Sequence, residues 1–154
     1  ILREVIAAAE LLETDFGIGA NLWSVTSFNE LRRDGLDCTR WNTLHPEATA
    51  RVPYVTAALQ GQPGPVIAAT DYMKTYADQI REFVPGRYRV LGTDGFGRSD
   101  SRLKLRESFE VNRYYVVVAA LKALADEGSI PVSTVTAALK QYGINVDKPN
   151  PTTV

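Results

Sequence analysis

The chain has 154 residues, with 17 Lys and Arg against 18 Asp and Glu and a single His, so its formal net charge is −1. That balance, with no run of five or more basic residues, excludes the electrostatic footprint of a nucleic-acid binder. One Cys excludes an internal disulfide framework, one His with one Cys argues against a zinc site, and no apolar run approaches the ~18–20 residues that span a bilayer.

The length predicts a single domain, and 45% hydrophobic with 23% charged residues is ordinary globular usage. The chain opens Ile1-Leu2-Arg3-Glu4, without Met and already inside a helical pattern. It lacks a charged segment followed by an apolar one, so this is not a signal peptide, and it reads as a piece of a longer polypeptide. Leu2, Val5, Ile6, Ala9, Leu12 and Phe16 form one stripe at helical spacing and predict a helix over 2–16, stopped by Gly17. Leu22-Trp23-Ser24-Val25-Thr26 is short, aromatic and β-branched, and predicts a strand. Ser27 with Glu30 three positions on makes a capping box for a helix over 28–34, closed by Gly35. A second short helix over 37–44 ends at His45-Pro46, because Pro drives the preceding residue out of the helical region.

Val52-Pro53 opens a short helix carrying Val55, Ala58 and Leu59, and residues 61–65 form a Gly/Pro turn. Val66-Ile67-Ala68-Ala69-Thr70 is a continuous apolar run, suited to a strand buried on both faces. Met73, Tyr76, Ala77, Ile80 and Phe83 or Val84 trace a helix stopped by Pro85-Gly86, and residues 88–92 predict a third strand. A polar loop over 93–101 leads to a short helix containing Leu103, Leu105 and Phe109, with a further strand possible at 109–111. Asn112 can cap a helix over 113–127. The Val116-Val117-Val118 run favours strand locally, but the 3.6 period and the stop at Gly128 decide for helix. A last helix over 132–142 faces Val132, Val135, Leu139 and Tyr142 inward and stops at Gly143. The Pro-rich tail after Asp147 is either strapped to a surface or disordered. Strands alternating with helices predict an α/β domain, a mainly parallel sheet covered on both faces.

The loop Gly92-Thr93-Asp94-Gly95-Phe96-Gly97-Arg98-Ser99-Asp100 is the most distinctive stretch. It follows a predicted strand and so lies at the carboxyl edge of the sheet, where open α/β sheets take ligands. Gly95 and Gly97 would admit close backbone approach, and Arg98 could pair with a carboxylate or phosphate. However, Asp100 stands where a dinucleotide fingerprint needs Gly or Ala, and the Walker pattern is absent. The structural alternative is a rigid loop packed on a neighbouring domain, with Asp94 and Arg98 in salt bridges. Asp71 is either a helix cap or a carboxylate at the same edge. His45 reads as a helix-end imidazole bonded to backbone or carboxylate, and a catalytic pair with Cys38 is the competing reading. Trp23, Trp41 and Phe96 are candidates for an interface, since aromatics concentrate there; core packing accounts equally for Trp23.

A family resemblance rests on residues spread over nearly the whole chain. They include Ser24-Val25-Thr26-Ser27-Phe28, Arg33-Asp34-Gly35 with Asp37-Cys38, Arg40-Trp41-Asn42 with Leu44-His45-Pro46, and Arg51-Val52-Pro53-Tyr54. Thr70-Asp71-Tyr72-Met73-Lys74, residues 91–102, residues 115–121 and Asp147-Lys148 with Asn150-Pro151 complete the set. In these the chain resembles the carboxy-terminal domain of the homodimeric, thiamine-diphosphate-dependent decarboxylating component of bacterial pyruvate dehydrogenase complexes. Gly92, Asp94, Phe96, Gly97 and Ser99 also resemble the wider transketolase group.

The resemblance implies a three-layer αβα fold like that of transketolase carboxy-terminal domains. It implies a parent with three α/β domains, working as a homodimer in the cytoplasm. That parent would decarboxylate pyruvate and pass the acetyl unit to a lipoyl group of a dihydrolipoyl acetyltransferase. Thiamine diphosphate and Mg²⁺ would sit between the first two domains. The family's Gly-Asp-Gly…Asn motif does not occur in this chain. The resemblance therefore makes no residue here catalytic, cofactor-binding or metal-binding. His45, Asp71, Asp94, Phe96, Arg98 and Ser99 remain as candidates for interface or active-site-entrance contacts. The readings of other classes are a free-standing anion-binding α/β domain, a domain of another transketolase-like enzyme, and an independent enzyme using His45 and Cys38.

Overall fold

A computed structural model describes residues 1–153. Among them, helices and strands follow in the order α1 (Leu2–Phe16), α2 (Phe28–Leu44), α3 (Tyr54–Leu59), β1 (Val66–Ala69), α4 (Lys74–Asp78), β2 (Tyr88–Leu91), α5 (Arg102–Ser108), α6 (Arg113–Asp126) and α7 (Val132–Gln141). A short 3-10 turn at Arg81–Phe83 lies between α4 and β2.

The two strands pair in parallel, Val66 opposite Tyr88 and Ala69 opposite Leu91. Successive side chains leave opposite faces of a strand. Ile67, Ala69 and Leu91 accordingly enter a core made by Ala8 and Leu12 of α1, Val116, Val117 and Leu121 of α6, and Val135 and Ala138 of α7. Val66, Ala68, Tyr88 and Val90 enter a second core with Val55 and Leu59 of α3 and with Ile80, Phe83 and Val84, flanked by Phe28 and Leu31 of α2. These are the three layers of an αβα fold with a small parallel sheet.

α6 forms through the Val116-Val117-Val118 run as its 3.6 period requires, since Val117 and Leu121 are fully buried at one face. Asn112 caps it, its Oδ1 accepting from the backbone N–H of Tyr114 (3.1 Å) and Tyr115 (3.2 Å). Ser27 caps α2 through the N–H of Glu30.

Five expectations are corrected. Residues 22–26 form no strand: Leu22, Trp23 and Val25 are 44%, 51% and 42% exposed, and no backbone hydrogen bond ties the segment to another among the described residues. A strand needs a partner, and propensity alone does not supply one. Gly35 does not end a helix, since α2 runs through it. The aromatic ring of Phe83 occupies the place where a Cβ on Gly35 would stand, so this glycine serves close packing between layers. The helix after Met73 stops at Asp78 and resumes only as the 3-10 turn, so Tyr76 stays 44% exposed. Residues 109–111 turn rather than extend, with Glu110 at φ 59°. Val132 points outward from the first turn of α7, leaving Val135 and Ala138 as its buried contacts.

The outer edge of β1 is open, whereas on the outer edge of β2 the Tyr88 carbonyl accepts from Arg81 Nη1 (2.8 Å). The bonds from Val66 N–H to Arg87 O (2.8 Å) and from Thr70 N–H to Leu91 O (3.0 Å) fix the even-numbered residues of β1 toward β2. The N–H and C=O of Ile67 and Ala69 therefore face away from β2, and no partner for them exists among the described residues.

Candidate functional site

The carboxyl edge of the sheet is built by the segments that follow β1 and β2. Thr93 N–H donates to Tyr72 O (2.9 Å), and the Thr93 hydroxyl donates to Asp71 O (3.3 Å). The Lys74 N–H, in the first turn of α4, donates to Asp94 Oδ2 (3.1 Å). These bonds stitch the two segments together. Gly92 permits the contact, because a Cβ there would lie 2.6 Å from Tyr72 O and 2.9 Å from Lys74 N. Both neighbours are backbone atoms and have no rotamer by which to escape. Gly92→Ala is expected to cost about 1–3 kcal/mol. A chemical-denaturation midpoint unchanged from the parent chain would contradict this close approach.

Asp71 is a carboxylate at this edge and not a helix cap; Asp94 takes the first-turn N–H instead. Asp71 accepts from Arg106 Nη2 (2.8 Å) and Nε (3.1 Å), with the Ile1 amino group 2.6 Å from Oδ2. Burial pushes its carboxyl up, while hydrogen bonds and charge from the Arg106 guanidinium pull it down, and it lies below the usual carboxylate range. Arg106 also reaches Glu4 Oε1 (3.4 Å). Glu4, only 6% exposed, accepts from Arg113 Nε (3.0 Å) and from the Arg113 backbone N–H (3.0 Å). Hydrogen bonding from Arg113 holds the Glu4 carboxyl low against the opposing effect of burial.

The network of Glu4, Asp71, Arg106 and Arg113 joins α1, the segment after β1, α5 and the start of α6. Sequence reasoning missed Glu4, Arg106 and Arg113. The available signal was spacing: Glu4, Ala8 and Leu12 repeat at four residues and are the buried face of α1, whereas Leu2 and Ile6 are 44% and 41% exposed.

Beyond Asp94 the loop projects from the domain. Phe96 is 75% exposed, and Arg98 and Ser99 are exposed too. Neither Asp94 nor Arg98 forms an ion pair among the described residues. On the same edge, Tyr72 and Met73 are 55% and 44% exposed, and Tyr72 packs edge-on against Tyr76 at 4.8 Å. The edge thus combines an apolar rim with a cation, Arg98, that pairs with no carboxylate among the described residues.

His45 is not part of this cluster of contacts. It ends α2, with Nδ1 2.9 Å from Trp41 O and its ring stacked on Trp41 at 4.4 Å. Arg51 also lies over the Trp41 ring, at 4.3 Å. Cys38 is buried, and burial followed by the charges of Asp34 and Asp37 pushes its thiol up. A buried thiol with a raised pKa is a poor nucleophile, which disfavours a Cys38–His45 enzyme.

At the opposite edge a hollow of about 530 Å³ is lined by Arg81, Arg87, Arg89, Tyr88, Gly86 and Glu127. Arg81 pairs with Asp78, Arg87 with Glu127 and Arg89 with Asp126, while the buried Arg87 Nε makes no hydrogen bond among the described residues. Among the described residues no three His, Cys, Asp or Glu side chains converge as a metal-ligand set.

Residues 1–112 match the model of the transketolase-like TK C-terminal domain family. The chain belongs to that family. It is 62% identical over 152 residues to the pyruvate dehydrogenase E1 component of Pseudomonas aeruginosa, covering 98% of this chain and 17% of that protein. It is 57% identical to the E1 component of Cupriavidus necator, over 100% of this chain and 17% of the relative. The identity to the E1 component of Escherichia coli K12 is 55%, over 98% of this chain and 17% of the relative. The chain therefore spans about one sixth of the length of these relatives. In this transketolase-like carboxy-terminal domain the family match ends at Asn112, the cap of α6, while α6 and α7 supply much of the core against α1.

Proposed function

We propose that these 154 residues are one α/β domain forming the carboxy-terminal part of a pyruvate dehydrogenase E1 component, with a scaffolding role. The domain packs against the rest of its own polypeptide or against a second subunit, while its carboxyl-edge loop borders the active-site entrance. On this reading the parent is a cytoplasmic homodimer that decarboxylates pyruvate on thiamine diphosphate and Mg²⁺. It passes the acetyl unit to the lipoyl group of a dihydrolipoyl acetyltransferase. Asp71, Asp94, Phe96, Arg98, Ser99 and His45 are its contact residues and not its chemistry. The high identity to several E1 components favours this parent over another transketolase-like enzyme.

One observation carries the reading. Leu22, Trp23 and Val25 are exposed in a segment that joins no strand, and β1 presents an edge at Ile67 and Ala69 with no partner among the described residues. Exposed strand edges and contiguous apolar surface mark places where protein docks. Burying a side chain such as Trp23 or Val25 is worth about 1.5–3 kcal/mol.

The test substitutes Trp23 and Val25 together with Ser. In the isolated chain both side chains already face water, so the stability change is expected to stay within about 1 kcal/mol for the pair. In the full-length protein the same pair is expected to lower stability by about 3 kcal/mol or more. Equally small effects in both would remove the scaffolding role.

A further inference from the structure

After α7 the chain turns at Gly143 and runs back toward the carboxyl edge. Lys148 Nζ donates to Ser108 O (2.5 Å) and Glu107 O (3.3 Å), at the end of α5, where carbonyls have no partner within the helix. It also pairs with Glu110 Oε1 (3.3 Å) and lies 5.9 Å from the centre of the Tyr115 ring. Beyond it Asn150 makes a tight turn, its Oδ1 accepting from Thr152 N–H (3.0 Å) and the Thr152 hydroxyl (2.8 Å). That turn sets the Pro151 carbonyl where a Cβ on Gly95 would stand. Gly95 has φ +127°, a conformation open to glycine and little else.

The loop is bonded at its two ends. Thr93 and Asp94 hold it to the segment after β1, and Ser101 caps α5 through the Lys104 N–H. Between them, Gly95 to Ser99 make no hydrogen bond among the described residues. The contact with Pro151, and the Phe109 ring 3.5 Å from the same position on Gly95, are what brace the middle of the loop.

We propose that the tail is a positioning strap: Lys148 anchors it to the end of α5, and Pro151 fixes Gly95 so that Phe96 and Arg98 are presented outward at the carboxyl edge. This rests on the reading that the loop borders the active-site entrance of the E1 component. Lys148 is then a positioning residue that acts through the loop.

The test uses the full-length protein with Lys148→Met, which keeps an unbranched stem and removes the three donors, and with a truncation after Asp147. Hydrogen exchange at the Thr93 and Lys74 amides, whose bonds hold the loop to the segment after β1, is expected to speed up about tenfold or more in both, while α6 keeps its protection as a control for folding. The KM for the lipoyl acceptor is expected to rise several-fold with kcat for pyruvate consumption within about twofold, the pattern of lost substrate positioning without lost chemistry. Unchanged exchange at the Thr93 and Lys74 amides in Lys148→Met would overturn the strap, whether or not the truncated protein folds. Faster loop exchange with KM and kcat both unchanged would uphold the strap and overturn the entrance reading.

Discussion

Replacing Glu4 with Ala is expected to cost about 3 kcal/mol of stability and to flatten the acid limb of the pH–stability curve. Glu4 is 6% exposed and receives the Arg113 backbone N–H, the Arg113 guanidinium and Arg106. Removing it leaves the first turn of α6 without that acceptor and Arg106, whose side chain is 14% exposed, with Asp71 alone. Breaking a buried pair costs about 3–5 kcal/mol, and the low end applies because the Arg113 side chain, 41% exposed, can turn toward water.

The sign of the pH effect follows from the direction of the shifts. Both Glu4 and Asp71 titrate below their ordinary values in the folded chain. Their contribution is complete above the unfolded carboxylate range and fades as pH falls through the lower, folded values, roughly below pH 4. Denaturant midpoints at pH 7 and at about pH 3 measure this. The parent chain should lose more stability between those values than Glu4→Ala does, and parallel losses would contradict the role given to Glu4.

The second large effect is expected at Leu121. It is fully buried where α1, α6, α7 and the sheet meet, so Leu121→Ala should cost about 2–5 kcal/mol through lost burial and a residual cavity. Its wider value is as a test of domain unity, because Leu121 lies beyond the residues matched by the family model. Trp41 sits on α2, in the opposite layer. If the 154 residues unfold as one unit, tryptophan fluorescence and far-ultraviolet circular dichroism should shift to the same lower midpoint in the variant. A circular dichroism transition that moves while the fluorescence transition stays would divide the chain into two units.

Where a pattern closes within one element, the sequence was a sufficient guide. The α6 period outweighed the β preference of three consecutive valines because a helix satisfies its own backbone. The Asn112 and Ser27 caps are equally local. Residues 22–26 show the other case, since Trp23 and Val25 carry strand propensity but a strand also needs an edge to pair with. Gly35 has the look of a helix-ending glycine, but α2 runs through it; the ring of Phe83, some fifty residues away in sequence, is the reason a glycine stands there.

The site divides along the same line. Asp71 and Asp94 were legible as carboxylates near a strand end, but their division of labour depends on Lys74 and Arg106, which only the fold brings to them. Glu4 carries no mark in the sequence, because its partners lie more than one hundred residues further on. The exposure of Phe96 and of Arg98 is likewise a property of the folded edge, although the Gly-rich spacing marked the loop itself.

The scaffolding account meets its most direct test in hydrogen exchange at the amides of Ile67, Ala69 and residues 22–26, compared between the isolated chain and the full-length protein. In the isolated chain these groups have no backbone partner and should exchange within the fast, locally open regime. In the full-length protein the account predicts that they become as protected as the β1 amides that already bond to β2. Fast exchange at the same positions in both would mean that nothing docks there, and would contradict it.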